Sequence, residues 1–352
     1  MTDIPATLPD FLTLPDLANR DLAGSVVWAS DEAFAERENL IMPHEPLFDP
    51  AAFGNKGKVY DGWETRRRRH AEIGGNDSAI VRLGVPGHIK GIVVDTAWFT
   101  GNYPPAVAVY GLTCDEYLTG AELAALPEDR WIPLVEPTPA QGNHKHYFEI
   151  SEEFATRRVT HVRLDMLPDG GIARLRVHGI PSPDPTFLAG TIDLASVENG
   201  ARVIECSNTF YSSPNQVIGL GRARNMGGGW ENARRREAGA DGTSLDYFTV
   251  RLAAEGRIRW IEVDTSYFVF NAPGDIDIIG VTADGSTIPL LAKTSVLPDT
   301  RHRLQITSET EDGMSTPIVA VRLNVYPDGG LARFRVWGEL TEMGASQIAS
   351  FW

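Results

Sequence analysis

Cysteine is scarce in this chain of 352 residues, which has only Cys114 and Cys206. Two thiols cannot form the disulfide framework of a small secreted domain, so the sequence fits a reducing compartment. No apolar run approaches the ~18 residues that a membrane-spanning helix needs. Residues 1–22 contain acidic residues and prolines where a secretory signal has a basic and then an apolar segment. These absences predict a cytoplasmic protein with no membrane partner.

Positive charge is also scarce, since 32 lysines and arginines face 47 aspartates and glutamates, for a net charge of −15. A surface of this charge repels phosphate backbones, which argues against a nucleic-acid partner. The arginines are nevertheless concentrated in two runs, Arg66–Arg69 and Arg234–Arg236. Each run is either a solvated charged loop or a site for a small anionic substrate.

Motifs of the common catalytic classes are missing: the sequence has no phosphate-binding loop, no Gly-x-Ser-x-Gly, no His-Glu-x-x-His and no Cys-x-x-Cys. His144 and His146 are spaced to lie on one face of a strand, where they form a possible metal-binding pair. A third ligand is not close in the sequence. We therefore expect no cofactor, with a divalent metal at the histidine pair as the alternative.

An internal repeat organises the chain. The segment Pro-Asp-Gly-Gly-Ile-Ala-Arg-Leu-Arg-Val-His-Gly at 168–179 recurs as Pro-Asp-Gly-Gly-Leu-Ala-Arg-Phe-Arg-Val-Trp-Gly at 327–338. Two shorter blocks recur in the same order, with Gly62–Glu64 matching Gly229–Glu231 and Val94–Thr96 matching Val263–Thr265. Whole domains are therefore duplicated.

The proline-rich stretch Ile180–Pro185 marks the junction between the two copies, because proline interrupts helices and central strands. We expect an N-terminal extension at 1–22, a first repeat at 23–182, a second repeat at 183–342 and a C-terminal tail at 343–352. A homo-oligomer is a weaker expectation.

Short apolar runs bounded by turn residues recur along the chain and predict strands. In 173–177, Ala173, Leu175 and Val177 alternate with arginines and should face the core. Helical periodicity is scarce, and Asp115–Leu126 is the best candidate. Many short strands in an order repeated twice predict an all-β protein of two tandem jelly-roll β-sandwiches.

The Pro-Asp-Gly-Gly segment at 168–171 predicts a tight turn, because proline fixes φ and glycine accepts positive φ. The residues on its two sides, Val162–Asp165 and Ala173–Val177, both alternate in polarity. They therefore predict a hairpin in which Asp165 pairs with Arg174 across the strands.

Three blocks resemble signature segments of the allantoicase family. They are Asp61-Gly62-Trp63-Glu64-Thr65-Arg66-Arg67, the segment Asp95–Pro105, and Ser30–Ala35 together with Asn39-Leu40. The resemblance spans nearly the whole chain. It implies two jelly-roll repeats of the galactose-binding-like kind and the hydrolysis of allantoate to ureidoglycolate and urea.

That reaction breaks an aminal carbon–nitrogen bond, so a general acid and a general base suffice without a metal. Arginine suits the substrate carboxylate because its planar guanidinium binds carboxylates through two hydrogen bonds. The candidates in the matching blocks are Glu64, Asp95 and His146 for proton transfer, Arg66 or Arg67 for the carboxylate, and Thr65, Asn102 and Tyr103 for other substrate contacts.

The second copy provides an internal comparison. Thr65 becomes Asn232, Arg66 becomes Ala233, and Gly101-Asn102-Tyr103 becomes Phe270-Asn271-Ala272, whereas Glu64, Arg67 and Asp95 are retained as Glu231, Arg234 and Asp264. His146 aligns with His302, which fits a shared structural role or an acid–base role. Residues specific to the first copy favour its loops as the working site.

A non-catalytic alternative is a tandem carbohydrate-binding protein, since jelly rolls often bind sugars and a fold does not determine a function. Its stacking platforms would be tryptophans, namely Trp63, Trp98, Trp131 and Trp230.

Overall fold

The structure is a computed structural model that describes residues 8–69, 75–235, 244–306 and 316–352. Arg236, the last residue of the second arginine run, lies outside these ranges. The chain divides into two compact units, Met1–Pro181 and Ser182–Trp352. Within the described ranges, no helix is long and apolar enough to cross a membrane.

The first unit is built mainly from strands. The strands are β1 Ser25–Ala29, β2 Phe53–Gly54, β3 Gly57–Lys58, β4 Trp63–Glu64, β5 Asp77–Asp95, β6 Ala106–Leu112, β7 Ile132–Pro139, β8 Lys145–Glu149, β9 Arg158–Leu167, β10 Gly171–Ile172 and β11 Arg174–Pro181. The α-helices are α1 Gly120–Ala124 and α2 Glu152–Ala155, and the 3-10 helices are Asp10–Thr13, Arg20–Leu22, Arg37–Ile41 and Glu128–Arg130. The predicted helix at Asp115–Leu126 is thus limited to one turn, α1.

Strand β5, 19 residues long, belongs to both layers of the sandwich. Its first half lies between β1 and β9, and the sheet continues through β6 to β7. Its second half lies between β8 and β11. The pairing with β9 is interrupted between Arg82 and Gly87, where the strand passes from one layer to the other.

The second unit repeats this architecture. Its elements are β12 Ile192–Asp193, β13 Arg202–Cys206, β14 Asp246–Asp264, β15 Asp275–Val281, β16 Thr287–Ser295, β17 Arg301–Gln305, β18 Ile318–Tyr326, β19 Arg333–Leu340 and α3 Glu342–Phe351, with 3-10 helices at Pro185–Phe187, Val197–Asn199, Pro214–Ile218 and Met226–Gly228. Strand β14 also has 19 residues, and its two halves pair with β13 and β18 and with β17 and β19. The predicted all-β fold with internal duplication is confirmed.

The predicted hairpin around Pro168–Gly171 is wrong. Strands β9 and β11 each pair with β5, at different halves, and within the described ranges they do not pair with each other. The Pro-Asp-Gly-Gly segment therefore carries the chain from one layer to the other. Gly170 has φ +151°, and a Cβ at this position would lie 2.5 Å from Pro104 N, so only glycine fits the crossing. Leu175 and Val177 face the core as predicted.

The predicted ion pair between Asp165 and Arg174 is also wrong. Asp165 lies beside Arg163 on its own strand, with 3.0 Å between Oδ1 and Nε. Arg174 is 1% exposed and donates to Asp61 Oδ2 at 2.7 Å and to the carbonyl oxygens of His44 and Asp61. Because β9 and β11 lie in different layers, Arg174 meets the loop before β4 and holds it against β11.

Part of the N-terminal segment belongs to the packed body of the first unit, although the sequence places 1–22 in an extension. Leu17 is fully buried, and Asp16 Oδ1 accepts a hydrogen bond from Val177 N at 2.9 Å. In the second unit, Asp193 Oδ1 accepts from Val336 N at 3.0 Å. Asp16 and Asp193 therefore hold equivalent positions beside β11 and β19.

We expect Arg174→Ala to lower the free energy of unfolding by about 3 kcal/mol, because the substitution removes a buried guanidinium and leaves the half-buried Asp61 carboxylate and two carbonyl oxygens without their donor. Urea denaturation followed by tryptophan fluorescence measures the change. The matched control is Arg259→Ala, because Arg259 and Glu339 form an exposed pair that contributes about 0–1 kcal/mol. Equal losses in the two variants would contradict a structural role for Arg174.

Candidate active site

The short strand β4 sets the position of Glu64. Trp63 is fully buried and its Nε1 donates to Asp31 O at 2.8 Å, which fixes β4 in the core. The strand pairs with β10 on one side, and Glu64 N donates to Ala35 O on the other. Because side chains alternate along a strand, burial of Trp63 directs Glu64 away from the core.

Glu64, Asn102 and Arg67 form a group that we call the Glu64 cluster. Asn102 Nδ2 donates to Glu64 Oε1 at 2.8 Å. Burial raises the pKa of Glu64, and the Asn102 hydrogen bond and the Arg67 charge offset only part of this rise. The Arg67 side chain is exposed and makes no hydrogen bond or ion pair with the residues that the structure describes. The cluster thus combines a weak acid with an available cation.

Tyr103 lies next to this cluster but makes no hydrogen bond within the described ranges. It is half-buried, and a Cβ added to Gly142 would lie 2.5 Å from its ring. The close approach to Gly142 holds the loop that carries Asn102 against the loop before β8.

Arg66 occupies a different position from its neighbour Arg67. Its Nε donates to Asp31 Oδ2 at 2.6 Å, and its backbone N donates to Asp31 Oδ1 at 2.8 Å. Burial opposes ionisation of Asp31, but these hydrogen bonds and that from Ala33 N lower its pKa overall. In the second unit Asn208 accepts from Ala233 N at 3.3 Å, so carboxylate and arginine are replaced together. The second copy therefore lacks both members of the ion pair that Arg66 and Asp31 form in the first copy.

Thr65 is 3% exposed and is bonded to the crossing segment. Its backbone N donates to Gly170 O at 3.0 Å, and its Oγ1 accepts from Gly170 N at 3.3 Å. In the second unit Asn232 Oδ1 accepts from Gly329 N at 2.8 Å. Threonine and asparagine thus provide the same acceptor, and the difference between the copies does not point to substrate.

Asp95 lies at the end of β5 in a separate environment. It is 3% exposed, its Oδ1 accepts from Ala97 N at 2.8 Å, and Lys145 Nζ lies 3.9 Å from its Oδ2. Burial raises its pKa against the effects of these partners. Asp264 makes the same contact with Ser266 N at 2.9 Å. Asp95 has Lys145, Glu45 and Arg174 as charged neighbours, whereas Glu64 has Arg67, so the two carboxyl groups differ in the charges that shift their pKa values.

Both ring nitrogens of His146 are bonded to the backbone. Nδ1 donates to Val94 O at 3.0 Å, and Nε2 accepts from Gln141 N at 2.9 Å. His302 has the same pair of bonds, to Val263 O at 3.2 Å and from Leu297 N at 3.0 Å. Neither nitrogen of His146 is available to a substrate or a metal, which favours the shared structural role over the acid–base role.

The ring centroids of His144 and His146 lie 4.8 Å apart, but only His146 lies on a strand, because β8 begins at Lys145. In the described ranges no group of three or more histidine, cysteine, aspartate or glutamate side chains is placed to hold a metal ion.

A cavity of about 460 Å³ was not predicted from the sequence. It lies beside β4, because Asn39, one of its lining residues, donates to Gly62 O at 3.0 Å. Its other lining residues include Phe48, Tyr60 and Asp61, but not Glu64. The sequence feature that could have indicated this cavity is loop length, since the segment between Ile41 and Gly62 is longer than its counterpart between Ile218 and Gly229.

The tryptophans proposed as sugar-stacking platforms are mostly inaccessible. Trp63 and Trp230 are fully buried, and Trp131 is 5% exposed. Trp98 is 43% exposed, but its ring stacks on Phe48 with 5.3 Å between centroids. These positions do not favour a tandem carbohydrate-binding protein.

Comparison with known proteins agrees with the duplication. The model of the allantoicase repeat family matches residues 15–182 and 192–341. A probable allantoicase of Nocardia farcinica is 52% identical over 94% of this chain and 95% of its own length. A probable allantoicase of Streptomyces avermitilis is 42% identical over 97% of this chain and 89% of its own length. The crystal structure of allantoicase from Saccharomyces cerevisiae superimposes with a TM-score of 0.77, at 34% identity over 92% of each chain.

We expect the neutral forms of His146 and His302 to carry their ring proton on Nδ1, because in each ring Nδ1 faces a carbonyl and Nε2 faces an N–H group. Burial lowers the pKa of His146, so half-protonation should occur below the ordinary value of 6.5. Long-range ¹H–¹⁵N correlation spectra across a pH titration test both points. A His146 ring carrying its proton on Nε2 would restore it as an acid–base or metal-ligand candidate.

Proposed function

This chain belongs to the allantoicase family, and we propose that the Glu64 cluster is the site at which it hydrolyses allantoate to ureidoglycolate and urea. The supporting observation is the pairing of a carboxyl group of raised pKa with an arginine available for an anion. The similarity to allantoicases favours this activity over the non-catalytic sugar-binding alternative.

Arg67 is the proposed partner of the substrate carboxylate. Its guanidinium is exposed and has no competing carboxylate within hydrogen-bond distance in the described ranges, whereas that of Arg66 is bonded to Asp31. A planar guanidinium can bind the two carboxylate oxygens at once. Arg67 would therefore anchor the substrate close to Glu64.

Asn102 is the proposed ureido contact. Its Nδ2 is engaged with Glu64, while its Oδ1 accepts no hydrogen bond from any described residue. A ureido N–H group is a suitable donor for that oxygen. Asn102 would thus hold the leaving group near the acid that protonates it.

Glu64 then transfers the proton. In its protonated form it donates to the nitrogen of one ureido group, and the lone pair of the other ureido nitrogen expels urea as the aminal bond breaks. The resulting N-carbamoyl iminium carbon is attacked by water, and the Glu64 carboxylate accepts a proton from that water. One water is consumed, urea and ureidoglycolate are formed, and Glu64 regains its proton.

The other predicted site residues support this arrangement. Asp95 caps the turn at Ala97, which leads to the loop of Asn102. Thr65 binds Gly170, and a Cβ at Gly170 would lie 3.0 Å from Asn102 O, so the crossing segment and the Asn102 loop are in direct contact. We propose that Asp95, Thr65 and Arg66 position the cluster and that His146 takes no part in proton transfer.

Urea release from allantoate by the purified chain tests the activity, and Glu64→Gln tests the site. We expect the substitution to lower kcat by about 10²- to 10⁴-fold, the usual contribution of a general acid. The wild-type kcat/KM should fall as pH rises through the raised pKa of Glu64, because the acid is then lost, and this limb should disappear in the variant.

The control for this experiment is Glu36→Gln, which removes one exposed negative charge from the same region and should leave the rate and its pH dependence unchanged. Absence of urea from the wild-type reaction would reject the activity. Urea release by Glu64→Gln at the wild-type rate would reject only the site.

Adjacent arginines provide a matched pair for the binding step. We expect Arg67→Ala to raise KM by roughly 10- to 100-fold with a smaller effect on kcat, because a hydrogen-bonded charge contributes about 1.5–3 kcal/mol to binding. Arg66→Ala should raise KM much less, since its guanidinium is bonded to Asp31. Steady-state kinetics with allantoate compares them, and the reverse order would assign the carboxylate to Arg66.

A further inference from the structure

We propose that the second repeat holds a second ligand site, formed by Glu231, Asn271 and Arg234, for a carboxylate bearing one ureido group. This inference rests on the proposed function of the Glu64 cluster. Asn271 Nδ2 donates to Glu231 Oε1 at 2.7 Å, compared with 2.8 Å for Asn102 and Glu64. We call these three residues the Glu231 cluster.

The backbone that carries the Glu231 cluster is also reproduced. Trp230 is fully buried and its Nε1 donates to Asn208 O at 2.9 Å, as Trp63 does to Asp31 O. Trp230 forms an antiparallel β-bridge with Leu331, just as Trp63 pairs with Ile172 in the first repeat. The substitution of Thr65 by Asn232 preserves the bond to the crossing segment. The fold therefore presents Glu231 in the same way as Glu64.

Arg234 is exposed and makes no hydrogen bond or ion pair within the described ranges, as is true of Arg67. The next position is Arg235 in the second repeat and Arg68 in the first, and it has a structural role in both. Arg235 donates to Asp246 Oδ1 at 2.7 Å, and Arg68 donates to Asp77 Oδ1 at 2.9 Å. Of the first two positions that are arginine in both repeats, the second is therefore structural and the first is available to an anion.

The surroundings of the two clusters differ in a way that bears on the ligand. Tyr103 is replaced by Ala272, which removes a phenol that can form hydrogen bonds. Gly101 is replaced by Phe270, which is 97% exposed, and Met226 Sδ lies 3.2 Å from Asn271 Nδ2. The second site keeps the carboxyl group, the amide and the cation but has fewer polar groups around them. It therefore fits an acid with one ureido group.

N-carbamoylglycine is a suitable probe because it has a carboxylate and a ureido group but no aminal carbon, so it cannot release urea by this reaction. We expect isothermal titration of the full chain to show two molecules bound per chain. Arg234→Ala and Arg67→Ala should each reduce this number to one, and the double variant should bind none. Arg224→Ala, which removes another exposed arginine of the second repeat, should leave two.

One molecule per wild-type chain, or none, would overturn the second site, and so would an unchanged stoichiometry in Arg234→Ala. Urea release from allantoate and its loss in Glu64→Gln are measured separately. The tests of the activity and of the first site therefore do not depend on what the second repeat binds.

Discussion

The architecture of each repeat depends on one long strand that supplies backbone hydrogen bonds to both layers of the sandwich. Because β5 pairs with β1 and β9 in its first half and with β8 and β11 in its second, the chain must cross between layers after β9. The Pro168–Gly171 crossing makes this passage, and it packs against the Asn102 loop and binds Thr65 beside Glu64. The same constraint that closes the sandwich therefore assembles the Glu64 cluster.

Comparison of the two repeats separates residues of the scaffold from residues available for chemistry. Scaffold positions change in ways that preserve an acceptor: Asp31 becomes Asn208, and Thr65 becomes Asn232, with the same backbone partners. The Glu–Asn pair and the exposed arginine are unchanged although their side chains make no hydrogen bond to the backbone of the described residues. Residues that differ between the copies are thus poorer indicators of function than retained residues whose side chains are not bonded to the backbone.

The sequence predicted the features that depend on local pattern. Alternation placed Leu175 and Val177 in the core, and the repeated blocks revealed the duplication. It could not predict which strand each alternating segment joins, because β9 and β11 meet β5 rather than each other. The ion pair of Arg174 with Asp61 and the backbone bonds of His146 depend on that same long-range pairing. Glu64, Arg67 and Asn102 were found by resemblance, whereas the different charged neighbours of Asp95 follow only from the folded structure.

The hydrogen bond between Asn102 and Glu64 has a stereochemical consequence. The Asn102 amide group donates to Oε1, so in the proposed reaction Oε2 is the oxygen that carries the acidic proton of Glu64. In the proposed reaction one oxygen atom then delivers the proton to departing urea and removes the proton from incoming water. Both events occur on the same face of the central carbon, so water enters where urea leaves. If Asn102 also holds the same one of the two identical ureido groups for departure in every turnover, a prochiral carbon becomes a single enantiomer of the product.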